Sequence, residues 1–223
     1  MFARSIAFAV FVVCASSAVA QESAVPAQQI FHAAVARGDE KSVVTLLDKG
    51  IAFDTRNAQG ETALLVAVQN GRKRMAELLI ARGADINAQA QNKDTPWLLA
   101  GARGQTAMLA AMLPKGPDYR LRNRFGGSAL IPACHYGHVE AVRFLTQKSK
   151  IDVDHVNDLG WTCLLEAVLL GDGGPAHQEI VRIVLAAAAN PNLADRDGVS
   201  ALAHARKRGQ GAVAKIIADA GGK

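Results

Sequence analysis

The sequence predicts an all-α solenoid of about six helix–turn–helix units joined by β-hairpin loops. Glycines recur at 38, 71, 104, 137, 171 and 209, so their spacings are 33, 33, 33, 34 and 38 residues. A fixed period of this length marks stacked repeats. A hydroxyl residue stands nine places before five of these glycines, at Thr62, Thr95, Ser128, Thr162 and Ser200. Apolar residues make up 50% of the chain but aromatics only 5%. Alanine, leucine and valine therefore form the core, which suits closely packed helices better than a β-sandwich.

The first 20 residues stand apart from the repeats. Arg4 gives a basic start, Ile6 to Val13 form a short apolar run, and Ala18 and Ala20 supply an A-x-A pattern. These are the parts of a secretory signal peptide (residues 1–20), with cleavage expected between Ala20 and Gln21. The apolar run falls short of the ~20 residues a membrane span needs. Val13 is too large for the residue ahead of a lipid-modified Cys14. Residues 21–27 read as a linker and 28–223 as the repeat domain. The mature chain is expected in the periplasm, or alternatively secreted, without membrane insertion. Loss of Arg4 takes the net charge from +5 to +4, since the leader holds no acid. So mild an excess does not describe a nucleic-acid binder.

The units are expected at about 28–56, 57–89, 90–122, 123–156, 157–194 and 195–221. In the second to sixth units the Thr or Ser caps a short inner helix, its hydroxyl accepting from a free backbone N–H. Pro96 suits a first helical turn. Leu64, Trp97, Leu130, Leu164 and Leu202 point inward. Ala67, Ala100, Ala133, Ala167 and Ala205 follow three residues later and let neighbouring helices approach. The repeated glycine ends the inner helix in a left-handed cap. An outer helix follows, with apolar residues at helical spacing such as Val142 and Leu145, or Val181, Val184 and Leu185. Turn glycines come next at Gly50, Gly83 and Gly116, but the fifth unit has Ala188 there. A non-glycine residue held left-handed costs roughly 1 kcal/mol, unless the turn changes shape. The last unit carries Arg206, Lys207, Arg208 and Lys215, as a polar end cap should.

The segments "DTPWLLAGARG", "RGADINAQ", "GHVEAVRFL" and "EIVRIVLAAAANPNLADRDG" together resemble the ankyrin repeat, over about residues 28–220. The tetratricopeptide repeat has a similar length but lacks the G-x-T start, the internal glycine and the Gly-Ala-Asp-x-Asn turn. The family's histidine occurs only once in its usual place, as His32; elsewhere that site is Leu65, Leu98, Ile131, Leu165 or Ala203. The resemblance implies a non-enzymatic module, a monomer, that binds a protein partner through its hairpin tips and concave inner-helix face. The chain is also similar to small exported bacterial ankyrin proteins, some of which are linked with peroxide defence beside a periplasmic catalase. A secreted effector or toxin-neutralising protein is the alternative. An enzyme built on such units is the remote one.

No catalytic constellation supports that last reading. The chain has no G-x-S-x-G, H-E-x-x-H or Cys-x-x-Cys, and its 6 histidines are scattered. No catalytic, cofactor-binding or metal-ligating residue is expected. The stretch "LLGDGGPAHQEIV" (169–181) looks like a phosphate loop but lacks Gly-Lys-Ser/Thr, and Asp172 would repel phosphate. The period makes Gly171 the ordinary inner-helix cap and Asp172 to Ala176 a five-residue lengthening of the turn, with the outer helix starting at His177. Cys134 lies late in one inner helix and Cys163 early in the next, offset by five positions. That is about 7.5 Å of rise, where a disulfide needs Cα atoms within about 7 Å. Two free, buried thiols are expected.

Candidate contact residues fall in three places. One hairpin offers Tyr119, Arg120, Arg122, Arg124 and Phe125, the arginine–aromatic mixture enriched at interfaces. The next offers Trp161 among Asp152, Asp154 and Asp158. On the concave side Tyr136, Leu169 and Leu170 would form an apolar strip beside Trp161, with Asp172 in the lengthened turn.

Overall fold

A computed structural model describes residues 26–223. The leader with its cleavage point, Cys14 and residues 21–25 of the linker lie outside the described residues. Six helix pairs follow one another: α1 (Ala27–Arg37) with α2 (Glu40–Asp48), α3 (Ala63–Gln69) with α4 (Lys73–Ala81), α5 (Pro96–Ala102) with α6 (Thr106–Met112), α7 (Leu130–His135) with α8 (Val139–Lys148), α9 (Cys163–Leu169) with α10 (Pro175–Ala186), and α11 (Ala201–Lys207) with α12 (Gly211–Asp219). A 3-10 turn, Leu113–Lys115, extends α6. Each inner, odd-numbered helix packs on the inner helices beside it, and α4, α6, α8, α10 and α12 form a second layer behind them. The linking hairpins carry only isolated bridges among the described residues, Arg56 with Thr62 and Ala194 with Ser200.

The expected inward residues occupy the core. Leu64, Trp97, Leu130, Leu164 and Leu202 are buried, and so are the alanines one turn later, from Ala67 to Ala205. Thr62, Thr95, Thr162 and Ser200 each accept a hydrogen bond from the backbone N–H three residues on. Ser128 does not; its buried hydroxyl has no partner and α7 begins only at Leu130. Pro132 explains the difference. The other four caps also accept an i+4 N–H on their carbonyl, as Val66 does on Thr62, and proline has no N–H to give.

Adjacent units are tied by a recurring side-chain contact. From the second unit on, a residue at or near the start of the outer helix reaches the last carbonyls of the inner helix one unit earlier. Arg72 Nε donates to Ala36 O at 2.9 Å, Gln105 Nε2 to Val68 O at 2.8 Å and Gln210 Nε2 to Val168 O at 3.1 Å. His138 approaches the Ala102 carbonyl in the same way. These bonds satisfy carbonyls that a helix end leaves free.

The fifth unit departs from its expected shape at two points. Gly171 is not a left-handed cap: α9 ends at Leu170 in right-handed conformation, and the left-handed residue is Gly173 in the turn, at φ 70°. Gly171 serves close approach instead, since a Cβ there would lie 2.5 Å from His177 Cδ2. Nor is the lengthening all loop, because α10 starts at Pro175, two residues before His177. Proline at the first helical position is pre-set for a helix and loses no needed N–H. His177 then does what Gln105 does elsewhere, its Nε2 lying 3.0 Å from His135 O. At the next turn Ala188 keeps the left-handed conformation, φ 66°, that glycine holds in other units.

The expectation of free thiols is overturned. Cys134 and Cys163 form a disulfide with Cα atoms 5.6 Å apart, and both side chains are fully buried. The inner helices do not stack level. The sixth residue after one cap faces the first residue after the next. The same register occurs one unit earlier, where a Cβ on Gly101 would lie 2.7 Å from the Ala129 Cβ. The five-residue offset along the chain is therefore cancelled by the lateral stagger of the units.

Candidate functional site

The inner helices and hairpin tips of the second to fifth units enclose a concave groove of about 1150 Å³. Hairpin geometry sets its rim. Asn123 Oδ1 accepts from the Phe125 and Gly127 N–H groups, both at 2.9 Å. Asn157 Oδ1 accepts from Leu159 at 2.9 Å and Trp161 at 3.0 Å. These Asx turns fold each tip back on itself. Asp158 N–H then donates to Phe125 O at 2.9 Å and joins the two tips.

Few large apolar side chains are exposed among the described residues, and most of them gather here. Phe125 is 50% exposed, Tyr136 60%, Leu159 46% and Leu170 42%, and all four line the groove. Tyr136 stacks on His135 with ring centroids 4.2 Å apart. The Arg124 guanidinium lies 4.7 Å over the Phe125 ring and 3.6 Å from Asp94 Oδ2. Burial raises the Asp94 carboxyl above the usual range, against the pull of Arg124. Burial likewise lowers His135 and His138.

Of the residues expected at contacts, the groove brings together Arg124, Phe125, Tyr136 and Leu170. The others are placed elsewhere. Tyr119 packs edge-on against Trp97, with centroids 6.1 Å apart. Arg122 is half-buried and donates to the carbonyls of Tyr119 and Leu121. Trp161 and Leu169 are half-buried against the core rather than forming a strip with Tyr136. Arg120 is exposed and pairs with its neighbour Asp118 at 2.9 Å. Asp172 accepts at 2.8 Å from both Gly174 N–H and the His177 ring, so it shapes the lengthened turn.

Among the residues of the site not singled out in the sequence, two matter most. One is Leu159, brought to the groove by the Asn157 turn. The other is Glu166, 6% exposed on the groove floor, whose Oε1 accepts from Asn157 Nδ2 at 2.9 Å. Burial pushes its carboxyl up to about 7, opposed by the Asn157 hydrogen bond. The signal was present: Val66, Leu99 and Pro132 hold the same position in other units, so a carboxylate there is out of pattern.

Among the described residues no group of three or more His, Cys, Asp or Glu is arranged to hold a metal ion, and no helix is long and apolar enough to cross a membrane. The groove mixes exposed apolar side chains with many polar and charged ones, among them Glu61, Asp94, Arg103, Arg124 and Glu166, as contact surfaces do.

Family models describing ankyrin repeats match residues 31–80 and 97–195. The Escherichia coli K12 ankyrin repeat protein YahD is 38% identical over 188 residues, covering 84% of this chain and 94% of that one. The crystal structure of an ankyrin repeat domain from Acinetobacter baumannii AYE superposes with a TM-score of 0.84 at 44% identity, covering 88% of this chain and all of that one. A further solved ankyrin repeat protein, EF0377, gives a TM-score of 0.81 at 39% identity, over 84% of this chain and 96% of that one.

Proposed function

Because this chain belongs to the ankyrin repeat family, whose members are in general protein–protein interaction modules, we propose that it is a non-enzymatic binding protein of the bacterial periplasm. It acts as a monomer and takes a protein partner in the concave groove. The observation that carries the reading is the gathering of Phe125, Tyr136, Leu159 and Leu170 on one concave face. Large apolar groups exposed together mark partner sites more often than scattered ones do.

Export is supported by two independent features. The leader has the composition of a signal peptide, and a disulfide persists in oxidising compartments but rarely in the cytosol. On the resemblance of the sequence to small exported ankyrin proteins, a periplasmic peroxide-defence protein such as a catalase is the first partner to try.

The test is affinity capture from periplasmic extract with the wild type and with a Phe125→Ala, Tyr136→Ala, Leu170→Ala variant. The variant should lose the partner that the wild type holds. Equal recovery by both would move the binding surface away from the groove.

A further inference from the structure

We propose that Glu166 is the anchor for a cationic side chain, lysine or arginine, carried by the peptide segment that the groove binds. The anchor rests on the groove being the binding face and adds what the segment must present.

Comparison of units shows what is missing at this site. In the sixth unit the position of Glu166 is taken by His204, and that of Asn157 by Asp195. There the pair closes on itself, with His204 Nε2 2.6 Å from Asp195 Oδ2. The fifth unit keeps the same geometry but sets a carboxyl against a neutral amide. Asn157 is itself 5% exposed, and its carbonyl oxygen is occupied by the Leu159 and Trp161 N–H groups. It holds Glu166 in place without balancing its charge.

No Lys, Arg or His among the described residues forms an ion pair with Glu166. Of the arginines on the same groove, Arg124 is engaged by Asp94 and the Phe125 ring, and Arg103 bears on Asp94 and forms no ion pair with Glu166. A buried carboxylate without a counter-charge is unfavourable, and a hydrogen-bonded cation relieves it. Burial is the main influence on Glu166, and no cation figures among the influences on it. The surroundings also fit the stem of such a side chain. Leu159, Leu170 and Tyr136 are exposed in the same groove. A long basic side chain lays its methylenes on apolar surface of this kind while its charged end reaches a carboxylate. Tyr136 adds an aromatic face that favours a guanidinium or ammonium.

The probe is a phage-displayed library of random dodecapeptides, selected against the disulfide-intact protein at pH 8 and followed by titration of synthetic peptides. Glu166→Gln keeps an acceptor for Asn157 Nδ2, and its cooperative unfolding is checked first. Selected peptides should carry Lys or Arg beside apolar residues and lose binding to Tyr136→Ala and Leu170→Ala. They should bind Glu166→Gln at least tenfold more weakly at pH 8. The gap should narrow at pH 5.5, where Glu166 is protonated; the same variant separates this from the titration of His135 and His138 in the groove. Replacing the peptide's lysine by norleucine, or its arginine by citrulline, should cost no further affinity in the Gln variant. Peptides that need Tyr136 and Leu170 but bind Glu166→Gln equally well would overturn the anchor and leave the groove as the binding face. Peptides indifferent to Tyr136 and Leu170, or a selection that enriches none, would overturn both.

Discussion

Cys134 and Cys163 are joined across the seam between the fourth and fifth units, one near the end of α7 and the other at the first residue of α9. The bridge closes a loop of 29 residues. Loop-closure entropy then stabilises the fold by about 3–4 kcal/mol through the unfolded chain. Replacing both cysteines by alanine should lower the unfolding free energy by that amount in urea titrations. In the chain without residues 1–20, which lacks Cys14, iodoacetamide should add two groups only after unfolding with reductant. A loss under about 1 kcal/mol would mean that the bridge does not restrict the unfolded chain.

Glu166→Gln should stabilise the protein at alkaline pH. The folded carboxyl titrates near 7, raised from an unfolded value of 4.5. Below 4.5 both states hold the proton and the group is neutral to stability. Between 4.5 and 7 the unfolded chain ionises first, so Glu166 becomes progressively destabilising, and above 7 its penalty is complete. At about 1.4 kcal/mol per pKa unit, and with water reaching the groove, the variant should gain about 1–3 kcal/mol at pH 8 and almost nothing at pH 4.5. Denaturation curves at the two pH values measure it. A gain that does not change with pH would contradict the titration.

At the turn after α10, Ala188 holds φ 66° where other units use glycine. Ala188→Gly should raise stability by about 0.5–1 kcal/mol, the relief of left-handed strain less the extra freedom of the unfolded chain. One residue earlier Ala187 has an ordinary φ of -85°. Ala187→Gly should therefore destabilise by about 0.5–1 kcal/mol. Equal signs for the two variants in thermal melts would defeat the argument.

His177 links the fourth and fifth units through the His135 carbonyl. His177→Ala should remove about 1–2 kcal/mol, the loss of hydrogen bonds to a buried ring, and speed amide hydrogen exchange at the end of α7. His177→Gln should restore much of it, because Gln105 and Gln210 make the same contact in other units. Failure of glutamine to rescue would show that the ring, rather than the donor, is needed.

The glycine period, four of the five hydroxyl caps and the inward Leu and Ala positions were legible in the sequence, because each is fixed within one unit; Ser128 and Gly171 are the exceptions. What was not legible lies between units. The offset of Cys134 from Cys163 is readable along the chain, but the lateral stagger that cancels it is a tertiary quantity. Trp161 and Leu159 are two residues apart on one tip, and it is the Asn157 turn that gives the groove to Leu159. Pro175 could have been read as a helix start; the period drew attention to the residues inserted rather than to what they form. Glu166 was visible as the lone acid in its column, beside Val66, Leu99, Pro132 and His204, and only its depth in the groove gives it meaning.

The disulfide lies between the two inner helices that carry Pro132, His135 and Glu166 to the groove. Among the described residues no other pair of neighbouring units is cross-linked by a disulfide. The groove is thus most preorganised at the seam where Tyr136 and Leu170 are exposed. A ligand seated at that seam has less disorder to remove than one bound elsewhere along the stack.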